Sequence, residues 1–253
     1  MLEFETRGHV AIITLNRPEA RNAVDPETTT AMEAALDRLE DDPDLWVGIL
    51  AAKGPVFCAG ADLKVIAKNG GKGINTRRGG FCGFVARERT KPVIAAVDGA
   101  APAGGTEMSV ACEMIVASKR STFGVPEVKR SLIAGGGSLF RLQQCLPRNL
   151  AYELVLTGDS ISAERAYEIG LINVLCEDGE ALDKALELAA RITANAPLAV
   201  RESMATMKAT AVADDATGFA ISREAMGRVA ATEDFKEGPR AFVEKRKPEW
   251  KGR

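Results

Sequence analysis

The stretch GAAPAGGTEMSVA, from Gly99 to Ala111, places one carboxylate, Glu107, among small and apolar residues. The residues that lead into it, KPVIAAVDG, form an almost continuous apolar run and predict a buried strand, whereas the small residues from Gly104 onward predict a helix. A strand that passes through a glycine-rich turn into a helix is typical of an α/β layer fold. Because an isolated buried carboxylate is costly, Glu107 needs a partner, a shifted pKa or a role.

Buried strands and helices alternate through the first half of the chain. Asp25 followed by Pro26 predicts an N-cap and a proline in the first turn of an amphipathic helix. The segment 67–80, AKNGGKGINTRRGG, is rich in glycine and is expected to be a mobile surface loop. Further buried strands are expected in HVAIITLNRP, WVGILAA and CEMIVAS.

Beyond residue 136 the pattern becomes helical, because apolar residues recur with a period near 3.6. Ser162 is expected to cap one of these helices, and the basic end EKRKPEWKGR is expected to be a solvated tail. The helices are predicted in GSLFRLQQCL, NLAYELVLTG, SAERAYEIG, EALDKALELAARITA and PLAVRESMATMKAT, and near 214–231 and 237–246.

Composition excludes several classes of protein. The 253 residues carry a net charge of −2, which gives no general reason to bind nucleic acid or a membrane. The sequence begins with acids where a secretory signal has bases, and its five cysteines are odd in number and widely spaced, so we expect a cytoplasmic protein without a metal site. The single histidine, His9, lies at the start of an apolar run, which disfavours a Ser-His-Asp or Cys-His device. Acid–base chemistry would therefore use carboxylates, lysine, cysteine or tyrosine.

Four motifs follow predicted strands or begin a helix, and such junctions converge at one end of a layered sheet. They are FCAGADL (57–63), GAAPAGGTE (99–107), FGVPEV (123–128) and AGGGSLFRL (134–142). Together with TLNRPEARNA and LTGDSISAERAYEIGLIN, this set resembles the crotonase (enoyl-CoA hydratase/isomerase) family from about residue 9 to the C-terminus. The resemblance implies an α/β fold with a crotonase-type spiral core of ββα units, expected in residues 1–195. It also implies a helical region, 196–253, that assembles a homotrimer or a dimer of trimers.

The resemblance also implies a chemistry. Members of the family hold the carbonyl oxygen of an acyl-CoA thioester between two backbone N–H groups, which here match Ala61 and Gly104. Hydratases of the family hold a water between two glutamates, which match Glu107 and Glu127. The implied activity is that of an enoyl-CoA hydratase-type lyase, with coenzyme A as part of the substrate and no tightly bound cofactor. Each glutamate could instead be a solvated acid at the start of a helix.

The family's contacts with the acyl-CoA can be transferred only to the positions that match. Arg21 and Lys64 are candidates for the phosphates, and Asp62 is expected to brace its turn. Ser131 stands where the family usually has glycine, a departure that bears on the space above the acyl chain. The full set of expected substrate and CoA contacts is Ala20, Arg21, Ala23, Ala59, Asp62, Leu63, Lys64, Phe81, Phe84, Gly105 and Gly135.

Three other activities stay open within the resemblance. The segments GGFCGF (79–84) and EGPRAFVEKRKPEWKGR resemble members that dehydrate carnitinyl-CoA, whose trimethylammonium group needs an acid or an aromatic cage. Phe81 and Phe84 are the candidates for such a cage. An isomerase would need only one well-placed acid, and a binding subunit would need neither. Acyl-chain length, reaction direction and the choice between trimer and hexamer are also left open.

Overall fold

The computed structural model describes residues 2–253, where strands and helices alternate before a run of helices ends the chain. The strands are β1 (Leu2–Arg7), β2 (Val10–Leu15), β3 (Val47–Ala52), β4 (Asn75–Thr76), β5 (Gly80–Phe81), β6 (Val93–Val97), β7 (Ala100–Pro102), β8 (Met114–Ser118), β9 (Thr122–Gly124), β10 (Ser160–Ser162) and β11 (Val174–Cys176). The helices are α1 (Pro26–Asp41), α2 (Leu63–Asn69), α3 (Gly104–Val110), α4 (Ser138–Cys145), α5 (Arg148–Thr157), α6 (Ala163–Glu168), α7 (Ala181–Thr193), α8 (Pro197–Thr210), α9 (Asp215–Ala230) and α10 (Glu233–Val243). Two short 3-10 helices, Pro18–Ala20 and Pro126–Arg130, lie in the connections.

A six-stranded sheet organises the first two thirds of the chain, in the order β1-β2-β3-β6-β8-β11. Only the β1–β2 pair is antiparallel, and the other neighbours run parallel. The register lines up Ile12, Ile49, Ile94 and Met114 across four adjacent strands. A parallel sheet needs cover on both faces, which explains why its strands were readable as almost continuous apolar runs.

The two faces of this sheet belong to two hydrophobic clusters. Ile12, Ile49 and Ile94 lie in the smaller cluster, which α7 covers with Ala181, Ala185 and Ala189 at a spacing of four residues. The larger cluster lies on the opposite face, and α1 and α3 pack into it with Leu36 and Met108. The small side chains of these alanines let α7 approach the sheet closely.

A second sheet, in the order β10-β9-β7, supports the loops that carry the candidate acids. Thr106 joins this sheet to α3, because its hydroxyl donates to the carbonyl of Ala101 and accepts from the N–H of Gly124 at 2.9 Å. The helix that carries Glu107 is thereby fixed to the strand that precedes Glu127.

Several sequence predictions are confirmed at the level of single residues. Asp25 caps α1 by accepting a hydrogen bond from the N–H of Thr28 at 2.8 Å, and Ser162 caps α6. His9 lies in the turn between β1 and β2, where its ring stacks on Trp46 with centroids 3.6 Å apart. None of the helices in residues 2–253 combines the length and the apolar character that crossing a bilayer requires.

The prediction of a mobile loop over residues 67–80 is wrong in part. Its first residues belong to α2, and the β4–β5 hairpin follows. Several of the glycines serve this structure: Gly70 ends α2 in the left-handed region with φ 71°, and Gly80 occupies the hairpin with φ 64°. These positions favour glycine because glycine has no Cβ and adopts a positive φ without strain. Composition alone cannot distinguish such glycines from those of a flexible loop.

The prediction of a solvated C-terminal tail is right about exposure, because residues 244–253 are mostly exposed, but it missed that the tail is held in place. The tail turns back along α10, where the buried carboxylate of Asp234 accepts hydrogen bonds from the N–H groups of Lys251 and Gly252. The indole of Trp250 donates to the carbonyl of Ala194 at 2.8 Å. The helix itself begins four residues earlier than predicted, because Thr232 caps it.

Candidate active site

Three chain segments meet at the ends of β3 and β6. The N–H of Phe57 donates to the carbonyl of Ala100 at 2.9 Å, and isolated parallel bridges join Val56 to Ala100 and Val24 to Ala61. The loop after β3 is thus held between the start of α3 and the segment that precedes α1. This arrangement brings together the predicted motifs at 20–23, 58–64 and 99–107.

The backbone N–H groups of Ala61 and Gly104 lie on facing turns of these segments. A Cβ placed on Gly60 would be 3.1 Å from the nitrogen of Gly104, so the two turns are in van der Waals contact. Neither N–H donates a hydrogen bond within residues 2–253, although most buried backbone groups are paired. Ala103 turns the chain into α3 at φ 53° and ψ −125°, a strained conformation for alanine of a kind that clusters at functional sites.

Glu107 lies in the first turn of α3 and is only 5% exposed. Its Oε1 is 3.5 Å from the N–H of Ser138, and its carboxylate fills the space that a Cβ on Gly136 would take. Burial, followed by the charge of Glu127, raises the pKa of Glu107 to about 7, while the N–H groups of Ser138 and Gly136 and the charge of Arg141 act in the opposite direction. Glu107 can therefore exchange a proton near neutral pH.

Glu127 lies in the first turn of the 3-10 helix after β9. Its Oε2 is buried and has no hydrogen-bond partner in the described chain, and burial raises its pKa. The charge of Glu127 raises the pKa of Glu107, so the two carboxylates are close enough to interact electrostatically. A pair of this kind holds one proton between its members more readily than it ionises twice.

The predicted CoA-binding segment lies beside the loop after β3. The carbonyl of Arg21 accepts from the N–H of Ala59 at 3.0 Å, which places Ala20 and Ala23 along the same edge. The Arg21 side chain is exposed, and its backbone has a left-handed φ of 53°. A basic side chain is thus available to phosphates at the rim.

Asp62 caps α2. Its Oδ1 accepts from the N–H of Lys64 at 3.0 Å, and its Oδ2 lies 3.5 Å from Arg17. The expected bracing role of Asp62 is therefore seen directly. Leu63 and Lys64, on the first turn of α2, are both exposed, and Leu63 presents 67% of its surface.

Phe81 and Phe84 differ in what a ligand could reach. The Phe81 ring lies against Gly104, where any Cβ would overlap it, so Phe81 forms part of the wall beside the N–H of Gly104. Phe84 is fully buried and lies beneath the guanidinium of Arg89, 4.8 Å from its ring centroid. The expectation that Phe84 contacts substrate is therefore wrong, because its ring is enclosed in the core.

Gly105 and Gly135 also occupy different settings. A Cβ on Gly105 would overlap the carbonyl oxygen of Cys58, so Gly105 permits the close packing of α3 on the loop after β3. Gly135 is exposed and has open space around it, whereas its neighbour Gly136 touches the carboxylate of Glu107. Within this motif, the residue beside the acid is therefore Gly136, one position after the predicted Gly135.

Three residues of the site were not predicted: Gly136, Ser138 and Arg141. Each lies in or directly after the AGGGS motif, whose glycines signalled close approach without naming its target. Ser131 ends the 3-10 helix with a left-handed φ of 56°, which is a conformation that favours glycine.

Burial raises the pKa of the Cys58 thiol to about 12, so Cys58 is a packing residue and not a nucleophile.

Comparison with known proteins places this geometry in context. A family model described as enoyl-CoA hydratase/isomerase matches residues 5–253. The chain is 43% identical to enoyl-CoA hydratase EchA19 of Mycobacterium tuberculosis, over 98% of this chain and 96% of that protein. It is 38% identical to carnitinyl-CoA dehydratase of Proteus mirabilis, over 100% of this chain and 98% of that protein.

A solved structure extends the likeness to three dimensions. The crystal structure of enoyl-CoA hydratase from Mycobacterium tuberculosis H37Rv superposes with a TM-score of 0.96 at 46% identity, covering 100% of this chain and 99% of that chain. The predicted fold class, an α/β core followed by a helical C-terminal region, is therefore confirmed.

Proposed function

Because the chain belongs to the enoyl-CoA hydratase/isomerase family, we propose that it reversibly adds water across the double bond of a 2-enoyl-CoA thioester. The observation that carries this proposal is the pair formed by buried Glu107 and partly buried Glu127, in which the charge of Glu127 raises the pKa of Glu107. An isomerase would need one acid, and a binding subunit would need neither. Two intact acids at one site favour a hydro-lyase.

The reaction follows from the placement of these groups. The oxygen of a water forms a bond to C3 of the enoyl group, and the π electrons move through C2 to the thioester oxygen. The N–H groups of Ala61 and Gly104 are available to hold that developing charge, and one such donor is typically worth about 2.7–4 kcal/mol in the transition state. The glutamate pair takes one proton from the water and gives one proton to C2, so its protonation is unchanged after each turnover.

A substrate panel tests this function. Hydration is followed as the loss of absorbance of the conjugated thioester, with crotonyl-CoA, longer 2-enoyl-CoA esters, a 3-enoyl-CoA and crotonobetainyl-CoA as substrates. We expect turnover of the unbranched 2-enoyl esters. Conversion of the 3-enoyl ester without any hydration would support an isomerase instead, and binding without turnover of any ester would support a binding subunit.

An apolar acyl group fits the site better than a trimethylammonium group. Of the two candidate cage residues, Phe84 is enclosed in the core, and Phe81 is also buried, with its ring against Gly104. A cage needs ring faces open to the cation. We therefore expect crotonobetainyl-CoA to be a poorer substrate than crotonyl-CoA.

We also propose that residues 1–195 form the catalytic core and that 196–253 assemble a trimer or a dimer of trimers. The helix α8 begins at Pro197, and α8 and α9 pack mainly on each other. Large apolar side chains of these helices remain exposed, among them Met207, Phe219 and Met226. Exposed apolar side chains clustered on neighbouring helices are typical of a protein interface.

Two further proposals concern the cofactor and the cellular location of the enzyme. Coenzyme A is proposed to enter as part of the substrate, with no separate cofactor, because the reaction needs only a proton exchange and an oxyanion site. The five cysteines are free thiols, which suits the reducing cytoplasm that we propose as the location.

A further inference from the structure

The side chain of Arg141 binds two backbone carbonyls from different parts of the chain. From the second turn of α4, its Nη1 donates to Gly136 at 3.1 Å and its Nη2 donates to Val85 at 2.6 Å. The guanidinium also lies 4.9 Å from the ring centroid of Phe140. A planar fork can make two such bonds with one fixed orientation, which an ammonium group cannot do.

The first of these bonds holds the loop that contacts Glu107. Gly136, whose carbonyl receives Nη1, also touches the carboxylate of Glu107, and its N–H group and that of Ser138 point toward that carboxylate. Gly137 has a left-handed φ of 113°, and a Cβ there would overlap Nη1 of Arg141. The loop is thus folded around the guanidinium on one side and around the acid on the other.

The second bond reaches the wall of the oxyanion turn. Val85 donates its N–H to the carbonyl of Phe81 at 3.2 Å, and the ring of Phe81 lies against Gly104. Arg141 therefore connects the loop beside the acid with the segment that supports the N–H of Gly104. No other side chain in the described part of the chain joins these two segments through hydrogen bonds.

Charged groups on two neighbouring elements act on Glu107. Glu127 faces it from the 3-10 helix, and Arg141 faces it from α4. Behind Arg141 lie Arg89, Glu113 and the thiol of Cys112. Arg141 is the cation whose charge lowers the pKa of Glu107, opposing burial and the charge of Glu127.

We propose that Arg141 is a positioning residue for the proposed hydration: its fork aligns the 134–138 loop, which contacts Glu107, with the Phe81 segment beside the N–H of Gly104. This inference rests on the proposed function. It predicts two separable effects, because the fork and the charge can be removed one at a time.

The test compares Arg141→Lys, which keeps the charge and loses the fork, with Arg141→Gln, which loses both. The matched control is Arg148→Gln on α5, where the arginine is exposed and bonds only to Tyr152 of its own helix at 3.3 Å. The measurements are kcat, KM and the pH profile of kcat/KM with crotonyl-CoA, together with the affinity for a saturated acyl-CoA.

We expect kcat to fall about tenfold or more in both Arg141 variants, since small misplacements of reacting groups have effects of this size. The alkaline limb of the profile, where the glutamate pair is expected to lose its proton, should move to higher pH in Arg141→Gln and stay in place in Arg141→Lys, because only the first variant loses the cation that lowers the pKa of Glu107. Acyl-CoA affinity and the Arg148→Gln control should match the parent.

Other results contradict the inference. If Arg141→Gln keeps the parental limb, or if both variants lose activity only in proportion to unfolded protein, Arg141 has a structural role alone. If Arg141→Gln does not fold, Arg141→Lys alone decides. Because lysine keeps the positive charge, a displaced alkaline limb in that variant would contradict the inference. An inactive parent enzyme would instead overturn the proposed function, and this inference with it.

Discussion

At the scale of single residues, we propose that Glu107 and Glu127 share one proton at the candidate active site. We expect Glu107→Gln and Glu127→Gln each to lower kcat for hydration by about 10²–10⁴-fold, because the amide keeps the volume but cannot exchange a proton. Affinity for a saturated acyl-CoA should change little. Since both acids act on one water, the double variant should be hardly slower than the slower single variant. Either variant within a few-fold of the parent would remove that glutamate from the mechanism.

The burial of Glu107 makes it a burden on stability above neutral pH. In the folded chain its pKa is about 7, against an ordinary value of 4.5, so the folded state holds the proton more tightly than the unfolded state. The contribution to stability is complete below pH 4.5 and is lost as the pH rises through 7. Glu107→Gln has no such loss, and should be more stable than the parent at pH 8 by up to about 3 kcal/mol.

Urea unfolding at pH 4.5 and pH 8 measures this difference. The control is Glu164→Gln on α6, where the glutamate is exposed. Its unfolding free energy should track that of the parent at both values. A Glu107→Gln variant that gains nothing at pH 8 would show that its carboxylate is better solvated than the structure indicates.

At the scale of elements, the start of α3 has no room for a side chain. Gly104→Ala should lower kcat/KM at least about tenfold, since its methyl group would overlap the Phe81 ring and displace the N–H beside it. The control is Gly227→Ala in α9, where a Cβ meets nothing within 4 Å. That change should leave kcat/KM unaltered and stabilise the helix by about 0.5–1 kcal/mol. Equal behaviour of the two variants would exclude the tight packing.

Elements with a strong local signal were predictable, and those defined by remote partners were not. The start of α1 could be read from Asp25 and Pro26, because capping depends on adjacent residues. β1 escaped prediction because its residues are mostly exposed and polar, so it shows no apolar run. The folded tail was missed for a related reason: Asp234 and Ala194 hold it, and both are distant in sequence from Trp250.

The site shows the same division. The family resemblance predicts Glu107, Glu127, Ala61 and Gly104 by position, and their roles stay predictions. Arg141 was missed, since its partners Gly136 and Val85 are joined only in the folded chain. Phe84 was misplaced because an apolar motif does not reveal which of its rings is fully enclosed in the core.

At the scale of the whole molecule, the exposed face of α9 predicts assembly. Phe219 and Met226, two turns apart, are 68% and 62% exposed. We expect the parent to be a trimer or a dimer of trimers by light scattering, and the double variant Phe219→Glu/Met226→Glu to shift toward monomer, because a carboxylate in an apolar interface loses its hydration. Tyr167→Glu on α6, which is also exposed, should leave the mass unchanged. A parent that is monomeric at working concentration would contradict the proposed assembly.

The order β1-β2-β3-β6-β8-β11 is also the order in which a ribosome would produce these strands. Each new strand can join the open edge left by the one before it, so the sheet can grow from one side during synthesis. Its last edge, β8, stays uncovered until β11 emerges, which at about 5–20 residues per second takes several seconds. During that interval an unpaired edge with buried Ile115, Val116 and Ala117 is exposed to other nascent chains. A chaperone that shields strand edges would therefore have most effect on this protein before its helical third has been made.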